Sequence, residues 1–302
     1  MKHILESDNQ FVVDLLTTLR RENFGPIAWW RFIVHAWGRS CKTARDHPTL
    51  KRSWVRITVF IALLAGGVLL VTCFYEGTNT ALRLLPGFLC CVAWQQSDLF
   101  WHLGLNRQVQ TRQLLANVGM ANVFTWLRGL GACYLLGRLA GGISTPSQLA
   151  LAVFVGGVAT DILDGQVARW TQTSSKLGQI GDCEADFCLY LAITLILIQN
   201  AVLFPWLGIV MLLRFCVPLL AALGSYFLIA QPVHFGSTVW GKYAGLGQCL
   251  YFLALLAPPF LAPLTRLANL PLLIVTLILL IAAPIAQIMG NIRTTAKGCE
   301  SP

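Results

Sequence analysis

Residues 147–170, SQLALAVFVGGVATDILDGQVARW, and 182–202, DCEADFCLYLAITLILIQNAV, decide the fold. Each is an apolar run close to the ~20 residues a helix needs to cross the hydrocarbon core of a bilayer. Both carry aspartates at the end nearest the other: Asp161 and Asp164 near the close of the first, Asp182 and Asp186 at the opening of the second. Outward from this pair, six more apolar runs lie near 54–74, 82–102, 120–140, 204–230, 240–262 and 268–291. The run at 82–102, with Pro86 inside it and Asp98-Leu99-Phe100-Trp101-His102 at its end, is the least apolar in pattern. Composition agrees with lipid as the main solvent, because 56% of the 302 residues are hydrophobic and 12% charged, against about 25% charged in a soluble domain. The fold class expected is all-α and polytopic, with eight spans.

Ten of the 22 Lys and Arg residues lie in 1–56, which places the N-terminus in the cytoplasm by the positive-inside rule. Alternation from there puts Arg107, Arg112, Arg169, Lys176, Lys242, Arg293 and Lys297 on the same side, and eight spans leave both ends inside. The segment 1–52 reads as amphipathic helices on the membrane surface, with Phe11, Val12, Val13, Leu15, Leu16 and Leu19 at helical spacing and Trp29, Trp30 and Trp37 among basic residues. No cleavable signal peptide is expected, since the first long apolar run starts past residue 50. The net charge of +9 is read as topology and attraction to the cytoplasmic leaflet; no nucleic-acid module accompanies it. Most cysteines fall inside apolar runs and read as small hydrophobes, and Cys183 and Cys188 match no zinc spacing. His35, His47 and His102 read as interfacial or hydrogen-bonded. Residues 103–119 read as a cytoplasmic linker, giving three parts: 1–52, an extension of about two spans over 53–115, and a six-span remainder over 116–302.

Ionisable residues inside membrane helices are costly unless paired, so each one is a functional hypothesis. Four of the eight Asp fall within 161–186. Residues three and four apart share a helix face, so Asp161, Asp164, Gly165 and Ala168 form one stripe, and Asp182 and Asp186 another. If the Trp170–Gly181 connection folds back, the two stripes meet. That many carboxylates stay ionised together only with cations between them, and oxygen-only ligands select Mg²⁺, Mn²⁺ or Ca²⁺ over zinc. Gly165 and Ala168 leave bare helix surface for a bulky phosphate, and Arg169 offers a fork for its oxygens. Glu184, off the Asp182/Asp186 face, reads as a solvated loop carboxylate.

Asp161-x-x-Asp164-Gly165-x-x-Ala168-Arg169, eight residues, then Gly178-x-x-x-Asp182-x-x-x-Asp186, resembles the motif of the CDP-alcohol phosphotransferases at every specified position and spacing. Chance would produce such a match in roughly one window in 10⁹ at ordinary residue frequencies. The resemblance implies a six-helix domain over about 116–292, commonly a homodimer, and says nothing of 1–115. It implies two divalent cations, Mg²⁺ or Mn²⁺, held by Asp161, Asp164, Asp182 and Asp186. It further implies that Asp164, Gly165, Ala168, Arg169 and Gly178 seat the cytidine diphosphate and that Asp186 deprotonates the acceptor hydroxyl. The implied activity is transfer of a phosphatidyl or other phospho-alcohol group from a CDP-alcohol donor, CDP-diacylglycerol foremost, to a hydroxyl acceptor in phospholipid synthesis, with release of CMP.

Asn122-Val-Phe-Thr125-Trp-Leu-Arg128 is similar to a segment at the start of the first helix in that family and could border the nucleotide; a helix cap and a snorkelling Arg would look the same. Trp240-Gly241-Lys242 with Gln248 is similar to a segment of members that use glycerol 3-phosphate, although Ala244 and Gly245 depart from it. Arg214 and Lys176 are further candidate anion ligands, with an interfacial or ion-paired role as the alternative reading; if several of these cations converge, a phosphorylated polyol is favoured as acceptor. Two alternatives stay open: transfer of a CDP-linked polar head group to a lipid alcohol, and, in another class, a cation or proton transporter. The localisation expected is a multi-pass protein of a bacterial cytoplasmic membrane with its site facing the cytoplasm.

Overall fold

The computed structural model describes residues 17–224 and 239–298. Its long helices are α1 (Pro26–Asp46), α2 (Pro48–Glu76), α3 (Thr78–Trp101), α4 (Met120–Ala140), α5 (Ser147–Trp170), α6 (Lys176–Gln199), α7 (Pro205–Gly224), α8 (Val239–Leu256) and α9 (Ala262–Gly298). No strand forms among the described residues, only two isolated bridges, so the all-α expectation holds. The helices from α2 onward stand where the eight apolar runs were read. Phe11, Val12, Val13, Leu15 and Leu16, and the end of the sixth run at 225–230, lie outside the described residues.

Among the described residues, Pro48–Glu76, Ser147–Trp170 and Pro263–Ala283 are long and apolar enough to cross a membrane. The charges that lower the hydropathy of α4 and α6 are Arg128 and Arg138 in the first, and Lys176, Asp182, Glu184 and Asp186 in the second. Helix α6 starts at Lys176, six residues before the apolar run, because the Ser175 hydroxyl caps it by accepting from the Gly178 N–H at 3.1 Å. Pro86 does not interrupt α3, which runs through it; membrane helices tolerate an internal proline where neighbouring groups and local adjustment meet the freed backbone carbonyl.

The chain divides into two compact units: Trp37–Gly208 with Leu255–Ala262, and Met1–Ala36 with Ile209–Ala254 and Pro263–Pro302. In the first, α4 is the central helix and packs against α3, α5 and α6. Gly77 alone turns α2 into α3, at φ 91° and ψ 160°, a conformation that glycine adopts without strain. The α3–α4 seam is a backbone contact: a Cβ on Gly137 would lie 2.8 Å from Phe88 Cα, and one on Gly87 would lie 2.8 Å from Ala140 Cβ. Small residues at such seams let helices approach closely, as membrane helices do where dispersion must replace the hydrophobic effect. Phe88, Leu84, Ile61 and Leu99, all fully buried, fill the space between α2, α3 and α4. At the far end of α4, buried Arg138 donates to Glu76 at 2.6 Å, to the Tyr134 hydroxyl at 3.1 Å and to the Ser144 carbonyl at 2.7 Å.

Helix α1 buries Ser40 and Ala44 and leaves Ile27, Trp30 and Val34 exposed. The Ser40 hydroxyl donates to the Trp101 carbonyl at 2.6 Å, and the Trp37 ring lies 5.1 Å from that of Phe100. In the other unit, Gln248 of α8 donates to the Met211 carbonyl of α7 at 3.4 Å, and Gly247 lets α8 approach Leu279 and Thr276 of α9.

Gly137→Ala is expected to destabilise the protein by about 1–3 kcal/mol, because its neighbour is the Phe88 backbone and cannot yield. Gly156→Ala, in open space on α5, should be neutral or stabilising through helix propensity. Thermal melting of the two variants in detergent, followed by the surviving monodisperse fraction, checks the contrast.

Candidate active site

Helices α5 and α6 form a hairpin whose connection is only five residues (171–175), closed by Gln172 at a positive φ of 53°. Gly178 and Gly181, expected in that connection, lie inside α6. There they serve close packing on α4: a Cβ on Gly178 would sit 2.6 Å from Asn122 Oδ1, and one on Gly181 would sit 3.3 Å from the Trp126 ring. The hairpin nevertheless brings the two acidic stripes together, and α4 supplies what lies between them.

That centrepiece is Arg128, whose side chain has no exposed surface. Its Nη1 is 2.5 Å from Asp161 Oδ1, its Nη2 is 3.4 Å from Asp164 Oδ2 and 3.3 Å from Asp182 Oδ1, and its Nε is 3.3 Å from Asp186 Oδ1. One turn earlier the Thr125 hydroxyl lies 2.6 Å from Asp182 Oδ1 and 3.2 Å from Asp164 Oδ2. A hydroxyl has one proton, so it satisfies only one of the two at a time. The stripe Asn122, Thr125 and Arg128, spaced by three, is thus the face of α4 that meets the motif. The sequence left this segment between a nucleotide border and a cap; the structure makes two of its members direct partners of the carboxylates.

Four carboxylates surround one guanidinium, which leaves three negative charges uncompensated if all are ionised. Asp164 is buried at 6% side-chain exposure, whereas Asp161 is 52% exposed, so the cluster opens outward on the Asp161 side. A set of hard oxygen donors with surplus negative charge and one open side fits divalent cations of the Mg²⁺ or Mn²⁺ type. A lone guanidinium does not saturate it.

The remaining motif residues lie on the same hairpin. The Arg169 guanidinium arches back over Gly165, 3.7 Å from where a Cβ would be, so the bare glycine face lies beneath a cation. Ala168 and Arg169 line a cavity of about 410 Å³ together with Gln172, Ser174 and Gln179, and its other wall is Gln108, Val109 and Gln110. That wall belongs to the stretch read as a linker, which is in fact built onto the hairpin. The Val109 N–H donates to the Ser174 carbonyl at 3.0 Å, the Gln108 amide to the Gln172 carbonyl at 3.0 Å, and the Lys176 N–H to the Arg107 carbonyl at 3.2 Å. Buried Asn106 braces the stretch by donating to the Leu115 and Asn117 carbonyls at 3.3 and 3.0 Å. The three glutamine and two asparagine side chains of the stretch were the signal available beforehand, and only long-range pairing gives them meaning.

Lys176 is exposed at the first turn of α6. Arg214 and Lys242 belong to the other unit, where the Arg214 guanidinium stacks 4.3 Å from the Phe215 ring centroid against Gly245, and Lys242 is exposed. Glu184 requires correction: it is a partly buried residue of α6, not a solvated loop carboxylate, and faces Asp98 and His102. His102 is hydrogen-bonded, with Nδ1 3.1 Å from the Asp98 carbonyl. Cys183 and Cys188 are free thiols.

Compared with known proteins, residues 118–287 match the model of the CDP-alcohol phosphatidyltransferase family. No curated protein and no solved structure matches the chain.

Arg128→Gln should lower the melting temperature sharply in EDTA, since removing one partner of a buried charge network costs about 3–5 kcal/mol. Added Mg²⁺ or Mn²⁺ should recover more stability in the variant than in the wild type, because cations take over the lost neutralisation. Differential scanning fluorimetry with and without the metals reads both effects.

Proposed function

Because the chain belongs to the CDP-alcohol phosphatidyltransferase family, an integral-membrane group of transferases of substituted phosphate groups, we propose that it transfers the phosphatidyl group of CDP-diacylglycerol to the hydroxyl of a phosphorylated polyol such as glycerol 3-phosphate, with release of CMP. The observation that carries this reading is the convergence of all four motif aspartates on Arg128. Family membership sets aside the transporter. A polar-head donor with a lipid acceptor is the other branch of the same chemistry.

In this reading Asp161, Asp164, Asp182 and Asp186 hold two divalent ions, Mg²⁺ or Mn²⁺. When bound, these supply charge neutralisation of the diphosphate oxygens and of the departing CMP. Arg169 and the bare surface of Gly165 and Ala168 receive the diphosphate, and the cavity walled by Gln108, Gln172 and Gln179 offers amide donors and acceptors to the polar part of the donor. Asp186, with 33% of its side chain exposed, takes the proton of the acceptor hydroxyl. The acceptor oxygen forms its bond to the β-phosphorus as the bond from that phosphorus to the CMP oxygen breaks in line, without a covalent enzyme intermediate. Arg128 fixes the carboxylates relative to one another throughout, as a positioning residue.

The catalytic domain we assign is 116–302, preceded by a surface segment 1–52 and an extension 53–115. The Trp240-Gly241-Lys242 resemblance favours a phosphorylated acceptor over a neutral one. A homodimer in a bacterial cytoplasmic membrane, its site open to the cytoplasm, accords with the basic N-terminal segment and the family resemblance.

The purified protein in detergent with Mg²⁺ or Mn²⁺, CDP-diacylglycerol and a panel of glycerol 3-phosphate, inositol phosphate, serine and inositol is expected to release CMP with a phosphorylated acceptor. EDTA should abolish the release. Asp186→Asn should lower the rate by roughly 10²- to 10⁴-fold, the scale of a lost general base. CMP release with serine or inositol alone would overturn the acceptor assignment, activity only with CDP-linked head groups would reverse donor and acceptor, and a labelled phosphoryl-enzyme would exclude direct displacement.

A further inference from the structure

Asp98 and His102 stand one turn apart at the end of α3, and Glu184 faces them from α6. One donor atom of each lies within 4.8 Å of the other two, and the Asp98 carboxylate is 3.2 Å from His102 Nδ1. All three are partly buried. Glu184 is two residues from Asp182 and from Asp186, so it projects from the opposite side of α6. The trio is therefore separate from the carboxylates around Arg128.

The two clusters differ in how their charge is met. Around Arg128 a buried guanidinium touches every carboxylate. Among the described residues the ion pair of this trio is internal, Asp98 Oδ1 with His102 Nδ1 at 3.2 Å, and Glu184 faces it from α6. Two facing carboxylates at a half-buried helix interface repel unless a cation or a shared proton lies between them. The donor set points to a cation: an imidazole nitrogen with two carboxylate oxygens suits zinc-type divalent ions, whereas Mg²⁺ and Ca²⁺ favour all-oxygen shells. The i, i+4 spacing of Asp98 and His102 puts two of the donors on one helix face, as in helix-borne metal sites. Three protein donors leave a place for water.

We propose that Asp98, His102 and Glu184 form a second metal site, for a divalent ion of the zinc type, which pins the end of α3 to the side of α6 opposite Asp182 and Asp186. The site serves position: it fixes the helix that carries half of the catalytic carboxylates to the segment that precedes the family domain.

The full-length protein, stripped with EDTA and dialysed against Zn²⁺ in a large excess of Mg²⁺, tests this. One Zn²⁺ per chain is expected by elemental analysis. His102→Gln should weaken its retention by at least about 100-fold, more than loss of an outer-sphere partner costs, and Asp186→Asn should leave it unchanged. Should His102→Gln fail to fold, His102→Cys keeps a ligand there, and its Co²⁺ form should gain a thiolate charge-transfer band absent from the wild type. No Zn²⁺ retained over Mg²⁺, retention undiminished in His102→Gln, retention lost in Asp186→Asn, or no sulfur band in His102→Cys would each overturn the proposal and leave a proton shared between the carboxylates as the account of the contact.

Discussion

Four aspartates on one buried arginine set the terms for the rest of this fold. A guanidinium without exposed surface in an apolar helix is tolerable only if its donors are met, so α4 must lie against both α5 and α6. Side chains at the points of closest approach would prevent it. Gly178 and Gly181 on α6 keep clear of Asn122 and Trp126, and Gly157 on α5 keeps clear of Leu189 on α6. The position of the charge and the absence of bulk are thus one requirement expressed at different residues. The same helix repeats the device at its other end, where Arg138 joins Glu76 and the Ser144 carbonyl.

The helices were legible because an apolar run about a bilayer thick has few alternatives, and α4 and α5 begin and end where their runs do. The convergence of the two acidic stripes was legible because helix periodicity places residues three and four apart on one face. Arg128 was harder. An arginine near a helix start reads equally as an interfacial anchor, and only the packing of a third helix onto the hairpin distinguishes the two. Gly178 shows a similar limit: the family pattern associates it with the nucleotide, while its surroundings show contact with Asn122. The stretch 103–119 looked like a connection because its hydrogen bonds go to residues some 60 positions away, Gln108 with Gln172 and Val109 with Ser174, and local composition carries no trace of such partners. Glu184 was misread because it lies off the face of the motif carboxylates, and only the packing of α3 on that side, with Asp98 and His102, shows that it is covered.

Polar residues in this protein are arranged by the charge left over after pairing. Glu76 and Arg138 cancel each other and serve architecture. The motif carboxylates are only partly cancelled by Arg128, which leaves surplus negative charge on the hairpin. A single family motif accounts for the residues involved, but the degree of cancellation, on which the chemistry depends, comes from α4.

The contact between α3 and α4 has a further consequence for how the catalytic helices are enclosed. Gly137 receives the Phe88 backbone directly, and Gln95 donates to the Trp126 carbonyl from the same helix face, so α3 supplies one wall of the helix that carries Arg128. The segment before residue 118, where the family match begins, is accordingly masonry for the matched helices and not an appendage to them. A chain begun at that point would retain every motif position yet present to lipid a notched, glycine-lined groove with a stranded carbonyl-facing surface, a shape that invites another helix to fill it.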